Sequence, residues 1–442
     1  MSIELHAPSR RQLLLASGAL FAWAYLPKLA RAEGRDPRFL AIVLRGALDG
    51  LATVAPVGDP DWIALRGDKA LTLDGAAPAL PLDSFFALNA AMPNLHRLYK
   101  SGAAIVVHAA ATPYRERSHF DGQDVLESGL LRPGAGDTGW LNRALSALQP
   151  GEPAARAGRH AFAVGPITPL VVRGPAPILS WTPPRLPPAS DDTMMRLLDL
   201  YRHTDPTLAR VLEERMGLAA IARAGGIEKP GAKVARAEQA VPPDQMAQPG
   251  QAGQAGRAGQ PPRALPGAAQ VRAYFAESAS AAAKFLAQPN GPRIGALAFD
   301  GWDTHANEGA ADGRLAALLS ALDGAIAAIE TNMGAAWRET VLAVVTEFGR
   351  TARINGTDGT DHGTATVALL AGGALKGGRV IADWPGLKPG DLFQERDLKP
   401  TTDLRAVLKG VLRDHLRVDE RALARTVFPD SDAAKPLGGL VG

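Results

Sequence analysis

Five short segments of the sequence carry carboxylate, imidazole and guanidinium side chains of the kinds that bind metals and transfer protons. They are residues 45–50 (RGALDG), 113–123 (PYRERSHFDGQ), 299–305 (FDGWDTH), 345–351 (VTEFGRT) and 359–363 (GTDHG). Carboxylates combined with imidazoles suit zinc, manganese or iron, whereas an all-oxygen set suits calcium or magnesium. The chain has no cysteine, so thiolate metal sites and disulfides are excluded. We therefore expect histidines and carboxylates to hold a divalent ion, namely zinc, manganese, iron or calcium.

The candidate metal ligands are the acids and histidines of four segments: Asp49, Asp303, His305, Glu347, Asp361 and His362. Asp303 and His305 are two residues apart, and extended backbone places such residues on one side, where both can contact one ion. A lone histidine is more often structural, and Asp-Gly and Gly-Thr-Asp sequences are common in turns. The prediction of a metal site therefore depends on the combination of segments.

The arginines of these segments have two interpretations. Arg115, Arg117 and Arg350 can clamp a phosphate or sulfate oxyanion through bidentate hydrogen bonds. Alternatively, they neutralise Asp121 or Glu347 in buried ion pairs. The two interpretations stay open for Arg350, whereas the ion pair is favoured for Arg115.

Ser118 and His119 precede a predicted helix at 120–127. Ser118 is either a nucleophile or the N-cap of this helix, and the cap is the more common use of such a serine. For Trp302 we expect packing beneath its loop rather than stacking on a substrate.

Short apolar runs adjoin the five segments and predict strands that are covered on both faces. The runs are 39–44, 103–107, 294–299, 341–345 and 366–370, and helices are predicted at 90–100, 314–330 and 402–416. This alternation predicts an α/β fold with a doubly wound, mostly parallel sheet and helices on both faces. Such sheets bind ligands at the carboxyl ends of their strands, where we expect the five segments to meet.

Residues 1–32 have the features of a twin-arginine signal peptide. Arginines 10 and 11 stand before an apolar run at 13–26, which is shorter than the roughly 20 residues that span a bilayer. The small residues of Ala30-Arg31-Ala32 provide a cleavage site. We expect export by the twin-arginine translocase, cleavage after Ala32, and a periplasmic or secreted chain without a membrane span. The alternative is an amphipathic or membrane-anchoring N-terminal helix.

The composition of the rest of the chain indicates its class of protein and its domain organisation. Residues 33–442 contain 44 basic and 44 acidic residues, so nothing in the net charge favours a nucleic-acid partner. The hydrophobic fraction of 46% is typical of a globular protein. Residues 227–270 are rich in Gly, Ala, Gln and Pro and have few side chains to bury. We predict a disordered insertion there within a single domain at 33–442; an interdomain linker is the alternative.

Three of the motifs point to a known family. GWDTH at 301–305, TEFGRT at 346–351 and TDHG at 360–363 together resemble an uncharacterised family of twin-arginine-exported bacterial proteins. That family is a domain of unknown function within the alkaline phosphatase superfamily. Residues 92–98 (MPNLHRL) are also similar to the T-P-N-L-D-x-L helix of sulfatases, with His96 where the relatives carry an acid. The resemblance covers 37–440 apart from the insertion and implies an alkaline-phosphatase-like fold.

The resemblance also implies roles for individual residues. Counting back from Gly129, Ser118 or His119 occupies the nucleophile position of sulfatases. The metal ligands of the superfamily correspond to Asp49, Asp303, His305, Glu347 and His362. Two departures are the spacing of two within the Asp303 and His305 pair, where relatives use four, and Glu347 in place of an aspartate.

Two functions are compatible with these observations. The first is an exported metal-dependent hydrolase of phosphate or sulfate esters, with a small-molecule or glycan substrate. Ser118 would attack, and Arg117 or Arg350 would bind the oxyanion. The second is a non-catalytic exported binding or assembly protein that keeps the superfamily fold. An oxidoreductase has little support, because no G-x-G-x-x-G motif follows the first strand.

Overall fold

The apolar run at 39–44 forms an interior strand of a large sheet and is paired on both sides. The structure is a computed structural model that describes residues 35–149, 152–155, 161–165, 167–181, 191–224 and 267–442. The predicted signal peptide at 1–32 lies outside the described residues. So does most of the predicted insertion, although a helix already begins at Ala268. Residues Pro37–Gly442 form one compact unit.

The strands and helices alternate along the chain as the apolar pattern predicts. The strands are β1 (Arg38–Arg45), β2 (Val54–Ala55), β3 (Leu80–Pro81), β4 (Ala87–Leu88), β5 (Ala104–Ala111), β6 (Ala161–Val164), β7 (Ile178–Trp181), β8 (Ile294–Asp300), β9 (Thr340–Thr346), β10 (Thr366–Ala371), β11 (Arg379–Ile381) and β12 (Thr402–Asp403). The α-helices are α1 (Gly50–Thr53), α2 (Trp62–Arg66), α3 (Pro93–Lys100), α4 (His119–Ser128), α5 (Trp140–Ala147), α6 (Asp191–Thr204), α7 (Pro206–Ala224), α8 (Ala268–Ala287), α9 (Gly313–Met333), α10 (Leu404–Leu416) and α11 (Glu420–Ala422).

Nine of the described strands form one sheet, in the order β11-β5-β10-β9-β1-β8-β6-β7, with β12 also paired to β5. All of these pairings are parallel except the two made by β10, which is antiparallel to β5 and to β9. The prediction of a mostly parallel sheet is therefore confirmed. A separate small sheet has the order β2-β4-β3.

Helices cover both faces of the large sheet, as predicted. Alternate side chains of β1 enter two different cores because successive residues of a strand point to opposite faces. Leu40 and Ile42 pack in a core with residues of α3, α8 and α9. Phe39 and Ala41 pack in a second core with residues of α5 and α10. The doubly wound α/β architecture is thus confirmed by the two-sided burial of its strands.

Helix α9 is long and apolar enough to cross a bilayer by length and composition. Its residues Leu319, Leu322 and Ile326 are nevertheless fully buried in the core beneath the sheet. Asp323 on the same helix accepts hydrogen bonds from the backbone N–H groups of Asn94 and Leu95. The first turn of α3 is therefore capped by a carboxylate from another helix, and α9 is a core helix.

The sequence predicts that β5 ends at Val107, but it continues to Ala111 because β10 and β12 both pair with Ala110. His108 is consequently a buried strand residue. Its Nε2 donates to the Val54 carbonyl at 2.9 Å, and its Nδ1 accepts from the Ala109 N–H at 2.8 Å. A proton on Nδ1 would face that N–H group, so this histidine is held neutral. Burial lowers the pKa of His108 to about 4.

This histidine should make the fold sensitive to acid. Its pKa is about 4 in the folded chain and about 6.5 in the unfolded chain, so its contribution to stability is complete above pH 6.5 and is lost as the pH falls toward 4. We expect His108→Gln to remove about 3 kcal/mol of pH dependence from the free energy of unfolding across this window. Urea denaturation at pH 4 to 7 measures the difference. His96→Gln, at a half-buried histidine on α3, is the control and should keep the parental slope.

Candidate metal centre

Loops from distant parts of the chain meet at one edge of the sheet. The loops after β1, β5, β8 and β9 leave this edge, and the loop before β10 enters it because β10 is antiparallel. Gly46 has a φ of +120°, and a Cβ at this residue would lie 2.5 Å from the backbone nitrogen of Asp303. Glycine at 46 therefore allows the loop after β1 to contact the loop after β8.

Three imidazole nitrogens surround one carboxylate oxygen at this edge. The Oδ1 atom of Asp303 lies 3.5 Å from His119 Nε2, 3.2 Å from His305 Nε2 and 3.6 Å from His362 Nε2. Ligands about 2.0–2.1 Å from a tetrahedral zinc ion are about 3.3–3.4 Å from one another. Asp303, His119 and His362 each offer one ligand atom, and these atoms all lie within 4.8 Å of one another. The spacing of donor atoms therefore fits a divalent ion.

The opposite nitrogen of each histidine is held by a hydrogen-bond acceptor. Nδ1 of His119 lies 2.9 Å from Glu347 Oε1, and Nδ1 of His305 lies 3.2 Å from Asp361 Oδ1. Nδ1 of His362 lies 2.8 Å from the carbonyl of Arg117. Because carboxylates and carbonyls accept hydrogen bonds, each Nδ1 carries the proton. In the neutral rings the lone pairs of Nε2 then face the centre, which is the arrangement of metal-bound histidines.

These lone pairs repel one another unless a cation lies between them. Nε2 of His305 and Nε2 of His362 are 2.9 Å apart. The buried Nε2 of His119 has no hydrogen-bond partner. A single proton or a metal ion removes the repulsion between the first two nitrogens. The additional convergence of Asp303 and His119 on the same point favours the metal ion.

The electrostatic surroundings favour ionised carboxylates. Burial acts to raise the pKa of Asp303, but Arg350, together with His305 and His119, outweighs it, and the pKa is lowered. Burial likewise opposes ionisation of Glu347, whose pKa is lowered by hydrogen bonds from His119 and other donors. The hydrogen bond to Glu347 raises the pKa of His119, whereas burial lowers the pKa of His362. A proton and a metal ion would therefore compete for Nε2 of His119.

Glu347 was predicted as a metal ligand, but the structure places it behind His119. Its fully buried carboxylate accepts hydrogen bonds from the Gly46 N–H, Gln123 Nε2 and Thr346 Oγ1 as well as from His119. The side chain is therefore occupied by positioning contacts. Its chemical effect is to orient the imidazole of His119.

Asp361 was also a predicted ligand. It lies behind His305 in the same way that Glu347 lies behind His119. Its Oδ1 contacts Nδ1 of His305 and accepts a hydrogen bond from Asn355 Nδ2 at 3.1 Å. The hydrogen bond from Asn355 is the main cause of its lowered pKa. Glu347 and Asp361 thus fix two of the three histidines from the side away from the centre.

The contacts of Arg350 do not fit its predicted role as an oxyanion clamp. Its side chain is fully buried. It donates to the carbonyls of Gly46, Ala47, Trp302 and Thr360 and, at 2.6 Å, to Oδ1 of Asp303. All of its donors have partners within the protein. Of the two interpretations that the sequence left open, the structure shows an ion pair, with Asp303 as partner instead of Glu347. The Arg350 side chain is fully buried, whereas that of Asp303 is 45% exposed.

Arg117 and Ser118 lie in the loop before α4. Arg117 has a φ of +61°, and its guanidinium pairs with buried Asp397 at 2.7 Å while its carbonyl accepts from His362. Ser118 occupies the N-cap position of α4, but its side chain makes no capping hydrogen bond. Arg115 donates to the Thr112 and Tyr114 carbonyls, so it does not form the predicted ion pair with Asp121.

Asp49 was also predicted as a metal ligand, but the structure places it in a separate ion pair. Its carboxylate receives two hydrogen bonds from Arg66, at 2.6 and 3.0 Å, and accepts from the Ala52 N–H at the start of α1. Both side chains of the pair are about 1% exposed. The oxygens of Asp49 are therefore satisfied by Arg66 and by a helix cap, and they do not belong to the histidine group.

Residues 102–427 match the family described as protein of unknown function, DUF1501. The chain belongs to the DUF1501 family. The membership in a family of unknown function that the motifs predicted is thereby confirmed. The matched part of this DUF1501 chain contains every residue of the histidine group and its supporting carboxylates, whereas Asp49 and Arg66 lie outside it. No curated protein matches the sequence.

Two solved structures are similar to the DUF1501 chain. One is the PsFucS1 sulfatase from Pseudoalteromonas sp., with 13% identity, coverage of 84% of this chain and 68% of the other, and a TM-score of 0.33. The second is the phosphonate monoester hydrolase of Agrobacterium radiobacter, with 13% identity, coverage of 78% and 70%, and a TM-score of 0.28. Similarity at this level carries no information on activity.

Several residues that support the DUF1501 site gave no signal in the sequence. Gln123 lies one helical turn after His119, a spacing that identifies a shared helix face but not a role. Asp397 holds Arg117, and Arg396 donates to the carbonyl of His362 at 2.8 Å. Glu308 and Arg66 are buried and contact the predicted segments only through the tertiary fold.

Proposed function

We propose that the protein is a metal-dependent hydrolase of phosphate or sulfate esters. The observation that carries this proposal is the convergence of three Nε2 atoms on Oδ1 of Asp303, with every Nδ1 held by an acceptor. His119, Asp303 and His362 would hold the ion, and His305 lies beside them. A bound divalent ion would polarise an ester oxygen and lower the pKa of a nucleophilic hydroxyl or water.

The protein supplies a candidate nucleophile next to this centre. Ser118 is adjacent to His119 and has extended backbone with a φ of −91°. Its hydroxyl does not cap α4, so the structural use that competes with a catalytic one does not apply. In the proposed reaction Ser118 Oγ attacks the phosphorus or sulfur atom and gives its proton to solvent or to a histidine, while the ester P–O or S–O bond breaks and the alcohol leaves with a proton from solvent. Water then hydrolyses the seryl ester, which releases phosphate or sulfate and restores the Ser118 hydroxyl.

Arg396 is better placed than Arg350 to bind a substrate oxyanion. Its side chain is 40% exposed, whereas that of Arg350 is fully buried. One Nη of Arg396 donates to the His362 carbonyl and the other lies 3.5 Å from Asp397. These contacts anchor the guanidinium on one side, and its remaining N–H groups can donate to a charged oxygen.

The proposal extends to location. The arginine pair at 10 and 11, the apolar run at 13–26 and the small residues at 30 and 32 support twin-arginine export to the periplasm or medium. Translocation of a folded chain allows the metal to be inserted before export. The translocase would be a transient partner, and a small-molecule or glycan ester would be the substrate.

The proposed function is tested by metal content and turnover in the same preparation. The full chain, purified without chelators, should retain zinc, manganese, iron or calcium at close to one ion per chain or more by elemental mass spectrometry. A panel of phosphate and sulfate monoesters should then be hydrolysed, with activity lost on chelation and regained with the same ion. A chain that takes up no metal from any of the four ions contradicts the proposal and favours a binding or assembly role.

A further inference from the structure

A buried carboxylate joins the two loops that carry the candidate ligands. Oε1 of Glu308 accepts a hydrogen bond from Thr304 Oγ1 at 2.8 Å, and Oε2 accepts one from Thr360 Oγ1 at 2.6 Å. Thr304 stands between Asp303 and His305, and Thr360 is two residues before His362. One side chain therefore bridges the loop after β8 and the loop before β10.

The backbones of the two loops are also hydrogen bonded to each other around this carboxylate. Thr360 N donates to the Thr304 carbonyl at 3.2 Å, and Glu308 N donates to the Asp358 carbonyl at 2.8 Å. Both threonines are fully buried and Glu308 is 1% exposed. Separating the two loops would leave these buried groups without hydrogen-bond partners, so the bridge restricts their separation.

A carboxylate in this position is costly to the fold. Burial and, next, the nearby carboxylate of Asp49 raise the pKa of Glu308 to about 7. Arg66 partly compensates but is already bonded to Asp49 through two nitrogens. An apolar residue would avoid the cost of desolvation. Stability alone does not explain why this position carries an acid. A role in positioning the adjacent candidate ligands does explain it.

We propose that Glu308 is a positioning residue of the metal centre. It holds Thr304 and Thr360 at a fixed separation, so that Asp303 and His305 on one loop face His362 on the other. This inference rests on the proposed function because it requires those side chains to act as ligands. Glu308 itself touches neither the ligands nor the substrate.

The test compares metal affinity with stability. Glu308→Ala removes both bridging acceptors and should weaken binding of Zn²⁺ or Mn²⁺, measured by competition with a chromophoric chelator, by roughly 10- to 100-fold. Glu308→Gln can still accept from one hydroxyl and donate to the other, so it should keep most of the parental affinity. In the metal-free protein, Glu308→Ala should also increase the rate of amide hydrogen exchange in both loops, at residues 302–308 and 355–363.

Asp323→Ala is the matched control, because it also removes a buried carboxylate that accepts hydrogen bonds but lies on α9. It should lower stability without changing metal affinity. Parental affinity and unchanged loop exchange in Glu308→Ala overturn the inference. If Glu308→Ala does not fold, Thr304→Val and Thr360→Val each remove one arm of the bridge and should each weaken affinity. If the parent binds no metal, the proposed function fails, and hydrogen exchange alone decides whether Glu308 fixes the loops.

Discussion

In the proposed hydrolase, His362→Ala should abolish metal binding and ester hydrolysis. Nε2 of His362 lies 2.9 Å from that of His305 and 3.6 Å from Oδ1 of Asp303, so the substitution removes one donor from the middle of the group. Replacement of residues that only orient metal ligands typically costs 10- to 100-fold in affinity or activity. We expect the loss of His362 itself to cost at least about 100-fold in both. Elemental analysis and steady-state kinetics on a phosphate monoester measure the two effects.

His96→Ala is the control for this substitution. His96 lies on α3, is only half-buried, and among the described residues its ring contacts the Pro81 carbonyl. It should retain parental metal content and kcat/KM. Circular dichroism must show that His362→Ala is folded, since that side chain also donates to the Arg117 carbonyl. A folded His362→Ala protein with full metal content and activity would rule out the proposed centre.

Replacing Arg350 with methionine should produce the largest loss of stability at this edge of the sheet. Its guanidinium donates to the carbonyls of four residues in the loops after β1 and β8 and before β10, and to Asp303. Methionine fills similar volume but leaves these acceptors without donors. Each buried acceptor that loses its donor costs about 1–3 kcal/mol. Because four buried carbonyls are affected, we expect the free energy of unfolding by urea to fall by roughly 3–5 kcal/mol.

Arg353→Met serves as the comparison, because Arg353 is exposed and three residues away. Its effect should be within about 0.5 kcal/mol. Arg350→Lys should not restore stability, since the ammonium group has three donors and lacks the planar fork that reaches separated acceptors. An Arg350→Met protein as stable as the parent would show that the carbonyls find water or other donors.

The apolar pattern shows where strands end, so the sequence predicts that the candidate residues meet at one edge of the sheet. The structure brings Asp303, His305 and His362 together there. Asp303 and His305 were expected to share an ion from their spacing of two, and their ligand atoms are indeed 3.2 Å apart. Glu347 and Asp361 were assigned to the ion itself. The structure instead places each beside a histidine Nδ1 atom, because a segment's position along a strand does not specify which atoms its side chain reaches.

Asp49 shows why the same reasoning fails elsewhere. It follows a strand at the same edge as Asp303, but Arg66 from α2 pairs with it. Their separation of 17 positions corresponds to no helical or strand period. Glu308 and Thr360 are separated by 52 residues and are likewise joined only by tertiary packing. Pairings of this kind follow from how loops fold over the sheet and leave no local trace in composition or spacing.

The order of strands has a consequence for biosynthesis. β1 lies between β8 and β9, and Phe39 is in register with Ile294 and Val341. Synthesis of the roughly 300 residues that separate β1 from β9 takes about 15–60 s at 5–20 residues per second. Both neighbours of β1 therefore become available only long after β1 itself has left the ribosome. The proposed metal centre also needs residue 362, so binding of an ion there would be a late event that follows completion of the sheet.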